Sequence, residues 1–332
     1  MGSPFRSDLP DVRLEAEPSA SAEPTYVMPA SRAKPPERLW RYLALFALTL
    51  VTTTLAGADH YASFFAGFRA IALPFSTWDL LVRGLWYSVS ILAILGAHEF
   101  GHFYACRYYD VDASPPYFLP MPFVLTGTFG AFIRIRQPVP GKRELFDIGI
   151  AGPIAGFVVA VPVLMVGMYL SRVVQVPQDF SGPVFELGEP LLFKAAAWLT
   201  FGPVADGYTV NMHPMAFAAW FGLLATALNL FPMGQLDGGH IAYAVLGRGS
   251  TALTVGTVVC LVGLSFVSSS WIVWTVLTVS MLVAFGPRHP RTVDEHVPLD
   301  APRMWLALFA LAMFVVCFSP APIEPIDLVR GR

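Results

Sequence analysis

The chain has 332 residues, of which 55% are hydrophobic and only 13% are charged. Soluble domains carry about 25% charged residues. The low charge and several long apolar runs therefore exclude an ordinary soluble protein and predict a multi-span helical protein embedded in a lipid bilayer. The formal net charge is −2, so we expect no nucleic-acid partner.

The N-terminal segment, residues 1–38, is rich in proline, serine, alanine and glutamate. It contains no apolar run that could bury a core, which predicts a disordered cytoplasmic tail. Residues 39–79 follow as a predicted first transmembrane helix with its outer loop.

Apolar runs of about 17 to 25 residues are long enough to span a bilayer. The fifth and sixth runs are short and separated only by three serines, so they form either a tight hairpin or one long tilted helix. We therefore expect six or seven spans. The predicted spans are Tyr42–Ala58, Leu85–Ala105, Ile148–Leu170, Met215–Phe231, Leu253–Val267, Trp271–Phe285 and Met304–Phe318.

Basic residues predict the orientation, because they collect on the cytoplasmic side of short loops. Arg38 and Arg41 belong to a basic group just before the first span, which places the N-terminus inside. The segment 171–210 then lies outside and has more acidic than basic residues. We expect a multi-pass protein of a bacterial-type inner or plasma membrane.

The second span contains the sequence "HEFGH", residues 98–102. On a helix, residues four apart share a face, so His98 and His102 can bind one Zn²⁺ while Glu99 acts as general base on the attacking water. Ionisable groups inside a membrane span are expensive and are rarely accidental. The alternative is a hydrogen-bonded histidine pair that only holds helices together.

A catalytic zinc site needs a third protein ligand. Asp237 lies in "NLFPMGQLDGGH", where Pro232 and Gly234 should break the preceding helix at the depth of His98 and His102. His240 is the rival ligand, since imidazole also suits zinc. We choose Asp237 because it follows the broken stretch and because its charge offsets part of the Zn²⁺ charge.

Two further segments have a recognisable pattern. Residues 133–136 alternate apolar and basic side chains and are followed by "PVPGK", which predicts a β-hairpin within residues 127–146. In "GIAGPIAG", Gly152 and Gly156 share a helix face and predict close helix packing.

"HEFGH" followed by "NLFPMGQLDGGH" resembles the site-2 protease family of intramembrane zinc metalloproteases. The resemblance covers residues 80–247 and implies a three-helix catalytic core there, with additional C-terminal helices in residues 248–332. It implies that His98, His102 and Asp237 bind Zn²⁺ and that Glu99 activates water. The expected fold is therefore an all-α polytopic membrane protein with a small membrane-associated β-hairpin.

Asn229 matches the asparagine of the family's second motif and could hold the substrate backbone or the oxyanion. It could equally well satisfy carbonyls freed by Pro232. The resemblance also implies that the hairpin dips into the membrane, with its free edge pairing with unwound substrate. We assign Gly127, Gly130 and Phe132 to substrate binding, and the alternative is a plain cytosolic hairpin.

The expected function is hydrolysis of peptide bonds within or near the transmembrane segment of a single-span protein, with the site open to the cytoplasm. A zinc transporter would need further acidic or histidine pairs along several spans. A non-catalytic scaffold with this fold would usually have lost Glu99 or a ligand. The sequence leaves the substrate, the trigger and the oligomeric state open.

Overall fold

A computed structural model describes most of the chain. The first 37 residues, which include nearly all of the predicted disordered tail, lie outside the described residues. So do short stretches of the chain further on. The described residues are 38–69, 71–122, 125–177, 184–266, 269–286, 292, 294 and 297–326.

The described part of the chain is mainly helical. Three helices are long and apolar enough to cross a membrane, with 28, 32 and 29 residues. The remaining apolar helices are shorter. The helices are α1 Leu39–Ala66, α2 Thr77–Tyr108, α3 Lys142–Leu170, α4 Leu191–Phe201, α5 Pro214–Asn229, α6 Asp237–Leu246, α7 Gly249–Ser265, α8 Ser270–Phe285 and α9 Ala301–Cys317.

Each predicted span overlaps one helix among the described residues, and two helices are additional: α4 within the predicted outer segment 171–210, and α6 between the fourth and fifth predicted spans. The fifth and sixth spans are the separate helices α7 and α8, and the hydroxyls of Ser265 and Thr275 lie 2.8 Å apart between them. Two separate helices in contact agree with the hairpin alternative, and the number of membrane crossings stays a prediction.

Helix α2 begins where the sequence supplies a capping box. The Ser76 hydroxyl accepts a hydrogen bond from the Asp79 amide, and the Asp79 carboxylate accepts one from the Ser76 amide, both 3.1 Å long. These reciprocal bonds satisfy two amides that a helix start leaves without partners. The helix continues for 32 residues and contains His98, Glu99 and His102 in its second half.

Small residues let α2 lie close to the helices on both sides. At Gly84, an added Cβ would collide with the Thr54 carbonyl of α1, and at Gly101 it would come 2.5 Å from the Ala151 carbonyl of α3. Close approach of backbones at glycine is the usual way in which membrane helices pack. On the third side, Trp220 of α5 is completely buried in a core that includes Ile94 of α2 and Leu164 of α3.

Three small antiparallel sheets accompany the helices. Each sheet has two strands in the described residues, and the second and third lie at the end of the molecule where α3 stops and α5 starts. The pairs are β1 Tyr117–Pro120 with β2 Thr128–Phe132, β3 Arg172–Gln175 with β5 Tyr208–Asn211, and β4 Val184–Leu187 with β6 Ile323–Ile326.

A β-hairpin is present, but the prediction that it lies within residues 127–146 is wrong. Strand β2 pairs with β1, which precedes it, and the extended residues 134–136 pair with 112–114 through hydrogen bonds of 2.9 Å. The stretch "PVPGK" is not a turn between strands. It leads directly into α3, which starts at Lys142. The strand that pairs with residues 134–136 lies upstream in the sequence instead.

The hairpin and its loop lie along α1. Tyr117 and Tyr42 join their hydroxyls at 3.1 Å, the Thr52 hydroxyl donates to the Gly127 carbonyl at 2.7 Å, and the His60 ring contacts the Leu125 carbonyl at 2.8 Å. From Tyr42 to His60 the helix rises about 27 Å. The hairpin and its loop therefore follow α1 over much of its length, and their depth in the membrane stays a prediction.

Candidate metal centre

His98 and His102 lie one turn apart on α2, as their spacing predicts. Their Nε2 atoms are 3.1 Å apart, and both residues are buried, with 6% and 7% of their surface exposed. Neighbouring helices cover this face of α2, so the two imidazoles point into the protein and away from lipid.

Asp237 reaches the two histidines because the chain is broken before it. Helix α5 ends at Asn229 and α6 begins at Asp237, as Pro232 and Gly234 predict, and Gly234 has a φ of +50°. Gly238 and Gly239 then pack against carbonyls of residues 230–234, where a Cβ would collide. Asp237 Oδ2 lies 3.2 Å from His98 Nε2, and Oδ1 lies 3.3 Å from His102 Nε2.

The three side chains fit a zinc ion by donor type and by spacing. Two ligands at about 2.1 Å from a tetrahedral ion lie about 3.4 Å from each other, and the closest donor pairs here are 3.1 to 3.3 Å apart. Two imidazole nitrogens and one carboxylate oxygen form a ligand set typical of zinc hydrolases, in which the fourth position is left for water or substrate.

Helix α3 holds both imidazoles from the other side. His102 Nδ1 lies 2.7 Å from the Ile148 carbonyl, a contact that fixes the ring and leaves Nε2 as the donor to a metal. A Cβ at Gly152 would collide with the His102 ring, and one at Gly156 would come 3.1 Å from His98 Cβ. The two glycines are spaced by four residues, as are the histidines, so each glycine accommodates one ring.

Glu99 follows His98 on α2 and is 7% exposed. A backbone hydrogen bond from Ile133 reaches its carboxylate, and the carboxylate is within electrostatic range of His98, His102 and Asp237. The extended segment after β2 therefore holds the side chain beside the three candidate ligands. A carboxylate held there is placed to accept a proton from water at the centre.

Asn229, the last residue of α5, also faces the centre. Its side-chain nitrogen lies 3.3 Å from His98 Nε2. The Leu228 carbonyl, which loses its helical donor at Pro232, accepts instead from the amides of Leu230 and Phe231. The Leu228 carbonyl therefore does not need the Asn229 side chain as a donor, which was the alternative role for Asn229.

The three hairpin residues assigned to substrate binding have different surroundings. Gly127 is buried against α1, where a Cβ would come 2.7 Å from the Thr52 carbonyl. Gly130 has a φ of +104° with open space beside it, and Phe132 is 44% exposed and stacks on Tyr117. Only Gly130 and Phe132 thus lie where a peptide can reach them.

His240 does not join the cluster. Among the described residues, the group of three or more donors that could hold a metal consists of His98, His102 and Asp237, with all donor atoms within 4.8 Å. His240 lies instead against α3, where its Cβ is 3.1 Å from the Cβ position of Gly149. The geometry favours Asp237 over its rival.

Comparison with known proteins gives a consistent result. The family model described as Peptidase family M50 matches residues 86–269, a range that contains every candidate ligand. The chain is 28% identical over 307 residues to "Probable zinc metalloprotease EGY2, chloroplastic" of Arabidopsis thaliana, covering 91% of this chain and 50% of that protein. No solved structure matches with comparable significance.

Two other relatives have similar names. The chain is 34% identical over 236 residues to "Probable zinc metalloprotease EGY1, chloroplastic" of Oryza sativa subsp. japonica, covering 64% of this chain and 39% of the relative. It is 29% identical over 293 residues to the corresponding EGY3 protein of Oryza sativa subsp. indica, covering 84% and 47%. The chain thus spans about half the length of the curated relatives that it matches.

These matches confirm the resemblance drawn from "HEFGH" and "NLFPMGQLDGGH". The relatives' names place them in the chloroplast, so they give no support to a bacterial-type inner or plasma membrane. Sequence reasoning missed the role of the Ile148 carbonyl, which carries no side-chain signal. One sequence feature could have predicted that α3 packs against the histidines: Gly152 and Gly156 are four residues apart, as are His98 and His102.

Proposed function

This chain belongs to peptidase family M50, and we propose on that basis that it is an intramembrane zinc metalloprotease. It hydrolyses peptide bonds within or near the transmembrane segment of a membrane-anchored, single-span protein. The observation that carries the proposal is the convergence of Asp237 from α6 on the buried His98, His102 and Glu99 of the apolar helix α2. Such intramembrane ionisable groups are by default functional.

Each side chain has a proposed role. His98, His102 and Asp237 hold Zn²⁺, which when bound polarises the scissile carbonyl and makes water more acidic. Glu99 accepts the proton of the attacking water and delivers it to the leaving amine. Asn229 donates from its amide to the substrate backbone or to the developing oxyanion.

Hydrolysis of a transmembrane segment requires local unwinding, because a helix hides its peptide groups in internal hydrogen bonds. We propose that the exposed side of β2, at Gly130 and Phe132, pairs with the unwound substrate. Gly127 supports this edge indirectly, because it holds the hairpin loop against α1. Its carbonyl accepts a hydrogen bond from the Thr52 hydroxyl of that helix.

We assign the catalytic core to residues 80–247, with the first helix in 39–79, accessory helices in 248–332 and a tail in 1–38. The seven helices that overlap predicted spans are the proposed membrane-crossing set. The centre then opens to the face where α2 ends and α3 begins. That face is the cytoplasmic side if the positive-inside rule sets the orientation.

A transporter of zinc would use the same ligands transiently, but it needs a series of sites along its path. The described residues contain one cluster of three donors, which favours hydrolysis. Retention of Glu99 beside a complete ligand set argues in the same way against a non-catalytic scaffold.

The test is incubation of the full chain, in detergent or vesicles, with a panel of single-span proteins. We expect cleavage inside or next to a transmembrane segment, its loss on chelation, and its recovery on adding Zn²⁺. Product mass spectrometry identifies the bond that is cut. Cleavage that persists through chelation and in Glu99→Gln would overturn the proposal.

A further inference from the structure

An ion-pair cluster lies one residue away from the Ile148 carbonyl that orients His102. Asp147 accepts two hydrogen bonds from Arg303 of α9, from Nε to Oδ1 at 2.9 Å and from Nη2 to Oδ2 at 2.5 Å. Tyr109, at the end of α2, donates its hydroxyl to the same carboxylate. Two-point pairing of arginine with a carboxylate fixes orientation as well as distance.

The guanidinium of Arg303 is itself held in place. Its Nη1 donates to Asp300, whose carboxylate also accepts from the Arg303 amide at 3.1 Å and so caps α9. The Arg303 and Asp147 side chains are 22% and 21% exposed. Partial burial and two-point geometry distinguish this pair from the exposed ion pairs that contribute little.

Tyr109 connects the cluster to α2. Burial, and then the hydrogen bond to Asp147, raise the pKa of the Tyr109 phenol, so it remains protonated and donates at neutral pH. Asp147 thus joins the end of α2, the first turns of α3 and the start of α9. Ile148, the next residue, is 3% exposed and packs with Cys106 of α2.

A second contact from the same C-terminal region acts on α3. Gly141, the residue before α3, has no side chain to cap the helix, and Asp294 does so instead by accepting from the Lys142 amide at 2.7 Å. Asp294 and Arg303 therefore hold the first two turns of α3 at two points. These two C-terminal residues lie outside the range that the family model matches.

From these contacts we infer that Arg303 is a positioning residue for His102, acting through Asp147 and the carbonyl of Ile148. Arg303 holds the start of α3 at a fixed height along α2, where the Ile148 carbonyl meets His102 Nδ1 and Gly152 meets the ring. The inference rests on the proposed metal centre and extends it to a helix that contributes no ligand.

The test measures the metal centre itself and not proteolysis. The full chain in detergent micelles is stripped of metal and titrated with Co²⁺, whose visible absorption reports ligand geometry, and Zn²⁺ affinity is measured by competition. Mutation of a group that holds a metal ligand in place typically lowers metal affinity by about 10- to 100-fold. We expect such a loss, with an altered Co²⁺ spectrum, in Arg303→Met.

Matched variants separate positioning from general stability. Arg143 is an exposed cation in the first turn of α3. Its charge reaches Asp300, but among the described residues the guanidinium paired with Asp147 is that of Arg303, so Arg143→Met should leave the affinity and spectrum unchanged. Arg303→Lys keeps the charge but loses the two-point geometry and should give an intermediate loss. Asp147→Asn combined with Arg303→Met should be no worse than the stronger single variant.

A folded Arg303→Met protein with wild-type Co²⁺ spectrum and Zn²⁺ affinity would overturn the inference. If that variant does not fold, Arg303→Lys and Tyr109→Phe decide by the same criterion. Wild-type chain that binds metal but cleaves nothing contradicts the proposed protease and not this inference. Wild-type chain that binds no metal contradicts both.

Discussion

The imidazole of His102 occupies the space that a side chain at position 152 would fill. A Cβ on Gly152 would overlap the ring, and the Ile148 carbonyl, one turn earlier on α3, holds Nδ1 at 2.7 Å. Helix α3 therefore provides both the space and the hydrogen bond that define how His102 points at the candidate centre. This contact makes the ligand geometry a property of two helices.

Gly152→Ala should reduce Zn²⁺ affinity by at least about tenfold, because the methyl group displaces the His102 ring and overpacking of this kind typically costs about 1–3 kcal/mol. Gly156→Ala should have a smaller effect, since its Cβ would lie 3.1 Å from His98 Cβ. Metal competition measures both. The control is Gly256→Ala on α7, where an added Cβ meets nothing within 4 Å. If the Gly152→Ala protein binds Zn²⁺ as tightly as this control, the packing argument is wrong.

Glu99→Gln should leave the metal content unchanged and lower the cleavage rate by about 10²–10⁴-fold. The amide keeps the size of the carboxylate and can still accept the backbone hydrogen bond from Ile133, but it cannot take a proton from water. Metal content and turnover are measured on the same preparation. Near-normal turnover would exclude Glu99 as the base.

Asp237→Ala should lower Zn²⁺ affinity sharply and abolish cleavage, because a two-histidine remainder lacks the third ligand of a catalytic site. His240→Ala is the matched comparison on the same helix turn and should retain metal and measurable activity. If His240→Ala loses the metal and Asp237→Ala keeps it, the ligand assignment is wrong.

The centre was predictable from sequence where its spacing is local. His98 and His102 share one helix face by their numbering alone, with Glu99 next to His98. Pro232 and Gly234 indicated where the chain breaks before Asp237. The hairpin register was not predictable, because alternation at residues 133–136 indicates an extended backbone but not the partner strand. The Arg303–Asp147 pair, 156 residues apart, was equally out of reach, since neither residue has a local pattern that points to the other.

Gly127→Ala tests the hairpin separately from the metal. Gly127 has a φ of +67°, and a Cβ there would come 2.7 Å from the Thr52 carbonyl, so the substitution should push the loop away from α1. We expect reduced cleavage with unchanged Zn²⁺ affinity, because the hairpin supplies no ligand. Gly207→Ala, with a φ of +80° and open space, carries similar backbone strain without the collision and should cleave normally. Loss of metal in Gly127→Ala would show that the hairpin supports the centre itself.

The orientation can be tested with cysteines on the two ends of the molecule. Arg107 is exposed in the last turn of α2, near the centre, whereas Asp206 is exposed just before β5 at the other end. Cys106 and Cys317 are buried, so a Cys260→Ser background leaves only the introduced thiol accessible.

In intact right-side-out vesicles, we expect an impermeant maleimide to label Asp206→Cys at once and Arg107→Cys only after the membrane is opened. The reason is that Arg41, Arg107, Arg134 and Arg143 flank α1, α2 and α3 at the end that carries the centre, and basic residues are retained on the inner side. Labelling of Arg107→Cys in intact vesicles would reverse the orientation and place the opening of the centre on the outer face.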